Sequence, residues 1–213
     1  MRVLNADEQQ RFIETVKNAS QPYAFSFLFA LFTGLRRGEI LGLRWCDIDF
    51  KQQILSVRHS LDERKDIGKT GYEVRLSPPK SQSAVRTIYL FDDLAKDLRQ
   101  HMETQKLSKK KCGFSFRKTD YVFEGKHFGY IRPRQDAKYF NTICQKAALK
   151  NVTIHTLRHT FATRALEAGM DIVTLSRLMG HSEPGFTMRE YIHVLNDHKK
   201  ENMERLSDLY KQL

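Results

Sequence analysis

The chain has 213 residues, 40% hydrophobic and 29% charged, with 11 glycines and 5 prolines. That is enough to bury a core, and the composition excludes collagen-like, mucin-like and wholly disordered classes. Lysine and arginine number 36 against 25 acidic residues, a net charge of +11, so a polyanionic partner is favoured, nucleic acid first and an anionic membrane surface second.

The three cysteines, Cys46, Cys112 and Cys144, form neither a disulfide framework nor a zinc-like spacing. The N-terminus MRVLNADEQQRF lacks an apolar signal core, and the longest apolar run, residues 23–32, is too short to span a bilayer. A soluble protein of a reducing compartment is expected, with no membrane partner.

In chain order, Asn5 with Glu8 reads as a capping box opening a helix through Phe12, Ile13 and Val16. The run YAFSFLFALF, apolar on nearly all sides, predicts a buried helix. Thr33-Gly34 interrupts it, and LRRGEILGL predicts another helix. Between about Gln53 and Leu90 the period changes. ILSVRHSL, YEVRLS and VRTIYL alternate and predict three short strands, the last two joined by the polar loop PPKSQSA. Asp92 and Asp93 then open a helix through Leu94 and Leu98.

Lys106–Lys118 holds six basic residues and no acidic one, and reads as a DNA contact or as a solvated face. Further helices are predicted over Gln135–Leu149, from His155 to a cap at Gly169, and from Asp171 to Gly180. Thr187 with Glu190 reads as a capping box that places Tyr191 in the first turn or so of a new helix. The tail carries Met203, Leu206, Leu209, Tyr210 and Leu213 on one face. That is a docking helix, for its own core or a neighbouring protomer. The fold class is mainly α (α+β), with a small three-stranded antiparallel sheet.

Cutting a DNA strand without a metal requires cations on the phosphate oxygens, best supplied by forked guanidinium groups. It also requires a nucleophile, an acceptor for its proton and an acid for the leaving oxygen. The chain offers a candidate for each. Arg36 and Glu39 are three residues apart and share a helix face. His155 and Arg158 do likewise, followed by His159. His181 follows Gly180, Tyr191 lies ten residues on, and Lys80 sits in the loop between strands. Each has an ordinary alternative: a surface ion pair for Arg36 and Glu39, a helix cap for His181, a core ring for Tyr191, a loop lysine for Lys80. His155 and His159 stand at i, i+4, a zinc-like spacing. Thr, Leu and Arg intervene rather than a glutamate base, no third ligand is evident, and Arg158 would repel a cation, so no metal is expected.

Taken together these segments resemble the catalytic domain of the tyrosine recombinase (phage integrase) family, over nearly the whole chain and in family order. TGLRRGEILGLRW resembles the first box, PPKSQSAVRTIYL the β-hairpin, HTLRHTFATRALEAG the second box and LMGHSEPGFTMREYIHV the third. Arg37 beside Arg36 doubles the arginine, Ser81 stands for a common Thr, and Tyr89 for a common Pro.

The resemblance implies site-specific DNA recombination through a 3′-phosphotyrosyl intermediate, without metal or cofactor. It makes Tyr191 the nucleophile. Arg36, Arg158 and His181 bind the phosphate, His155 assists proton transfer and Lys80 protonates the leaving oxygen, with Glu39 and His159 in support. It further implies double-stranded DNA as substrate, a tetramer on two duplexes with the C-terminal helix docking in cis or in trans, an excision or accessory factor, and a bacterial cytoplasmic location. An integrase of a phage or conjugative element fits best. The alternatives are a DNA-binding relative without catalysis and a type IB topoisomerase-like enzyme. The expected organisation is one catalytic domain, about 1–195 as core and about 196–213 as docking helix, without the core-binding and arm-binding domains usual before it.

Overall fold

The computed structural model describes residues 2–20, 22–65, 72–78, 85–181, 183, 185, 187–191, 203, 204, 207, 208, 210 and 211. Its helices are α1 (Ala6–Lys17), α2 (Phe25–Thr33), α3 (Arg37–Leu41), α4 (Asp92–Lys111), α5 (Pro133–Lys146), α6 (Ile154–Glu167) and α7 (Ile172–Met179). Between α3 and α4 lie the strands β1 (Ile48–Asp49), β2 (Ile54–Val57), β3 (Ser60–Lys65), β4 (Tyr72–Ser77) and β5 (Arg86–Tyr89).

Local chemistry sets most helix ends. Asn5 and Glu8 form the reciprocal box that starts α1. Asp171 accepts from the Val173 and Thr174 amides to start α7. Pro133 opens α5. Gly34 and Gly180 end α2 and α7 at φ 63° and 64°. Both are also forced by space. A Cβ at Gly34 would lie 2.3 Å from the Phe161 ring, and one at Gly180 would lie 2.7 Å from the Arg86 guanidinium.

α2 is buried on almost every side, as its composition requires, and packs on α6. Phe27 meets Phe140 of α5 with ring centroids 5.2 Å apart, and Phe29 meets Phe123 at 5.4 Å. A second, smaller cluster joins Ala162, Leu166, Leu175, Met179 and the ring of Tyr191.

The β region differs from the sequence reading in its pairing. A three-stranded antiparallel sheet is present, in the order β1-β2-β5, and β3 and β4 form a separate antiparallel ladder. The segment from Ile54 to Lys65 is therefore two strands in two sheets. β4 and β5, read as consecutive strands on either side of one loop, belong to different sheets.

Lys106–Lys111 ends α4. Lys109 is buried, with its Nζ 2.6 Å from Asp120 and 2.6 Å from Glu124. Burial pushes Glu124 up to about 7 against the pull of Lys109. Lys110, Lys111, Arg117 and Lys118 remain exposed. In the tail, Met203 and Tyr210 are exposed, whereas Leu206, Leu209 and Leu213 lie outside the described residues.

Asp136 sits on the buried face of α5, and its Oδ1 has no partner among the described residues. Burial pushes this carboxyl up to about 7 from 3.8, opposed by the charge of Arg37. Folding thus favours the protonated form. The resulting stability is full below about pH 4 and is lost as pH rises through about 7. Asp136→Asn should therefore gain more over the native chain at pH 8 than at pH 5, by on the order of 2–3 kcal/mol. Thermal melts at the two pH values measure this, and an equal effect at both would contradict it.

Candidate active site

Two helix ends and one strand bring the arginines together. The C-terminus of a helix presents unpaired carbonyls and a partial negative charge. Gly34, at the end of α2, turns its carbonyl to Arg158 Nη1 at 2.6 Å. At the end of α7, Met179 O takes Arg158 Nη2 at 2.6 Å, Gly180 O takes Arg36 Nη2 at 2.9 Å, and Leu178 O takes Arg86 Nε at 2.6 Å. Three guanidinium groups thus converge on two helix ends.

Glu39 balances them. Its Oε1 accepts from Arg36 Nη1 and Arg86 Nη1, both at 3.0 Å. Its Oε2 accepts from the Arg36 amide and Arg86 Nη2, both at 2.9 Å. These four bonds fill the carboxylate's lone pairs. Burial alone would raise its pKa, but the hydrogen bonds and charge of Arg86, reinforced by Arg36, hold it below the ordinary value. Arg86 is a site residue that sequence reasoning missed. Arginine on a strand is unremarkable locally, and its carboxylate partner is 47 residues away.

Arg158 is almost fully buried. Burial, with Arg36 and Arg86 nearby, pushes it down to about 9, so it stays charged at neutral pH. It donates to Gly34 O, Met179 O and His181 Nε2. A guanidinium has five N–H donors, so two remain for a ligand in the cavity it lines with Arg36 and His155.

His181 Nε2 lies 3.0 Å from Arg158 Nη2. Arginine can only donate, so Nε2 accepts, and in the neutral ring Nδ1 carries the proton toward Thr187 Oγ1 at 2.6 Å. Burial, with Arg158 and Arg36, lowers His181 to about 4, consistent with that neutral form. Thr187 is buried within helical residues 187–191, with Gly185 already helical. It fixes His181 instead of capping the helix, which corrects the expected capping box.

The Tyr191 hydroxyl lies 2.8 Å from His159 Nδ1. His155 stands edge-on to His159, ring centroids 4.8 Å apart, and lines the cavity beside Arg36 and Arg158. Burial, then His155 and Arg158, lowers His159 to about 4. Burial, then Arg158 and Arg36, also lowers His155. Tyr191 is buried, which pushes its phenol up to about 12 against the pull of Arg158. The structure therefore brings together Arg36, Glu39, His155, Arg158, His159, His181 and Tyr191. Lys80 lies outside the described residues. Among those residues, no group of three or more His, Cys, Asp or Glu side chains could hold a metal ion, and no helix is long and apolar enough to cross a membrane.

The sequence profile of the Phage integrase family matches residues 2–198. The chain belongs to that family. This phage-integrase-family chain is 32% identical over 206 residues to a tyrosine recombinase XerC-like protein of Caldanaerobacter subterraneus subsp. tengcongensis, covering 93% of this chain and 53% of that one. It is 25% identical to the ICEBs1 integrase of Bacillus subtilis, covering 98% and 55%. It therefore spans about half the length of the curated relatives it matches. Among solved structures, it is similar to a Tn1549 transposon integrase in complex with a circular intermediate DNA, at a TM-score of 0.76 and 26% identity, covering 97% of this chain and 66% of that one. It shares the fold of the catalytic domain of bacteriophage HP1 integrase, at a TM-score of 0.58 and 20% identity, covering 94% of each.

Proposed function

We propose that this chain carries the catalytic centre of a site-specific DNA recombinase, most similar to integrases of phages and conjugative or integrative elements. One observation carries the reading: Arg36, Arg158 and His155 line one cavity, with His181 bonded to Arg158 and the Tyr191 hydroxyl bonded to His159, one helical turn from His155. A scissile phosphate in that cavity would meet the free donors of Arg158 and the Arg36 guanidinium, which stabilise charge developing on its non-bridging oxygens.

The Tyr191 oxygen attacks phosphorus, the bond to the 5′-oxygen breaks, and a 3′-phosphotyrosyl link forms. A phenol held near 12 needs its proton taken as it attacks. His159, neutral and 2.8 Å away, is placed to accept it at Nδ1 in the tautomer that leaves that nitrogen free. His155 instead faces the phosphate cavity. Lys80, by family resemblance, supplies the proton for the leaving 5′-oxygen. A 5′-hydroxyl of a second strand then reverses the attack, so rejoining needs no external energy source.

The substrate is double-stranded DNA. A solved relative is bound to circular intermediate DNA, and the chain's net charge of +11 suits that partner. Assembly is proposed as a tetramer on two duplexes. The exposed Met203 and Tyr210 support docking of the tail on a neighbouring protomer. An accessory or excision factor and a bacterial cytoplasmic setting belong to the same proposal, as do the single-domain organisation and its docking helix. The names of the relatives favour recombination over topoisomerase chemistry, and the assembled site favours catalysis over DNA binding alone.

The test is covalent capture. The chain is incubated with a pool of nicked duplexes of randomised core, and protein-linked DNA is recovered after denaturation and sequenced. A denaturant-resistant adduct on a defined core is expected; its absence from the entire pool would count against the reading. Because the arginines supply the positive charge, adduct yield should be unchanged, within about twofold, by excess EDTA. A loss restored by a divalent cation would require a metal step.

A further inference from the structure

The proposed mechanism uses Arg36 and leaves Arg37 without a role. The fold separates the two sharply. Arg36 turns to Glu39 and Gly180, whereas Arg37, the first residue of α3, is exposed. The Arg37 side chain makes no hydrogen bond or ion pair with any described residue. It lines two cavities. The first, about 440 Å³, is walled by Arg36, His155, Arg158, Asn141 and Thr153. The second, about 470 Å³, lies between α5 and the β3-β4 ladder, against Asp62, Arg64, Tyr72 and Arg134.

Arg37, Gly38 and Ala137 line both cavities. The two therefore meet at Arg37 as one groove, running from the phosphate-binding arginines between α3 and α5 to the ladder. Gly38 keeps its floor low. A Cβ there would lie 2.5 Å from Ser60 Oγ and 2.9 Å from Leu61 O, so a larger residue would force α3 away from β3. Arg134 is already spent at the far end, its guanidinium 3.2 Å over the Tyr72 ring. Arg64 there is paired with Asp62. Among the described residues, Arg37 is the cation left available where the cavities join.

A DNA strand carries a negative charge on every nucleotide. A strand that places one phosphate between Arg36 and Arg158 must place the next beside that pair, and the groove leads away from it. A lone guanidinium in solvent gains little from distant carboxylates, but it makes short, forked bonds to a phosphate delivered to it. We propose that Arg37 binds a second phosphate of the cleaved strand, adjacent to the scissile one, with the intervening nucleotide seated in the groove by Asn141. This rests on the recombinase reading and extends the same site. The competing role for Arg37 is distant counter-charge to the buried Asp136, which would act on folding and not on DNA.

The native chain, Arg37→Ala and Arg37→Lys are compared in three measurements: anisotropy titrations with a duplex recovered in the covalent capture, over a salt series; yield of covalent adduct; and thermal melts at pH 5 and pH 8. Arg37→Ala is expected to weaken binding about 3- to 10-fold near physiological salt and to reduce the slope of log K against log salt by about one. Arg37→Lys is expected to recover the slope, and at pH 5, where Asp136 is protonated in the folded chain, neither variant should lower the melting temperature. Unchanged affinity and slope in Arg37→Ala would overturn the proposal. So would a fall in melting temperature with DNA binding intact, which would assign the residue to Asp136. If the native chain forms no adduct and shows no salt-dependent binding, the recombinase reading fails and this inference fails with it. A native adduct with an indifferent Arg37 removes only the inference.

Discussion

Tyr191→Phe is expected to abolish the covalent protein–DNA adduct, with a fall in cleavage of at least about 10⁴-fold, while DNA affinity stays within about twofold. The substitution deletes one oxygen and little else. The ring packs among Ala162, Leu166, Leu175 and Met179, a setting phenylalanine fills equally well. The lost contact is a single neutral hydrogen bond to His159, worth about 1 kcal/mol. Stability should therefore barely change, and loss of chemistry can be attributed to the missing nucleophile. Denaturing gels of the capture reaction measure the adduct. One that persists in Tyr191→Phe would show that another side chain attacks.

Arg158 carries the second large effect, and it needs two variants. Arg158→Ala removes the donor to Gly34 O, Met179 O and His181 Nε2 in a nearly dry setting. Leaving such acceptors unpaired costs about 1–3 kcal/mol each, so lost cleavage in this variant would mix catalysis with folding. Arg158→Lys keeps the charge but replaces a planar fork by a point donor that cannot reach all three acceptors and a phosphate together. It should fold and bind DNA, and cleave about 10²- to 10³-fold more slowly in single turnover, by analogy with loss of an oxyanion donor. Cleavage near the native rate in a folded Arg158→Lys would remove Arg158 from the phosphate site.

The helices were legible because their signals are local. Asn5 with Glu8, Asp171, Gly34 and Gly180 each act within a turn of their own position. The resemblance to the integrase boxes gathered most of the site in advance. What escaped depends on partners far along the chain. The stretch ILSVRHSL reads as one alternating strand, yet its first half pairs with β5 and its second half begins β3, which pairs with β4, a choice that no period-2 pattern encodes. The Thr187 hydroxyl could satisfy its own backbone or a distant imidazole, and only the fold shows that it takes His181. His155 and His159 are one helical turn apart, so the sequence puts both near the chemistry. The docking of the Tyr191 segment against α6 decides that His159 touches the hydroxyl. Arg86 gave no local sign, although it supplies two of the four bonds to Glu39.

Gly180 has a mechanical meaning beyond its φ. Its carbonyl, with those of Leu178 and Met179, anchors Arg36, Arg86 and Arg158 to the last turn of α7. Tyr191 lies on the chain that continues past this anchor, with its ring buried against α6 and α7. The chain is therefore pinned at the guanidinium cluster and, under the proposed chemistry, carries the attacking group on the length beyond. The arginines thus hang on the carbonyls of residues 178–180, whereas the Tyr191 hydroxyl hangs on residues 187–191 packed against α6 and α7. In the proposed reaction, holding and striking would fall on separate supports, so a change in the packing around Tyr191 need not alter the carbonyl bonds of the three arginines.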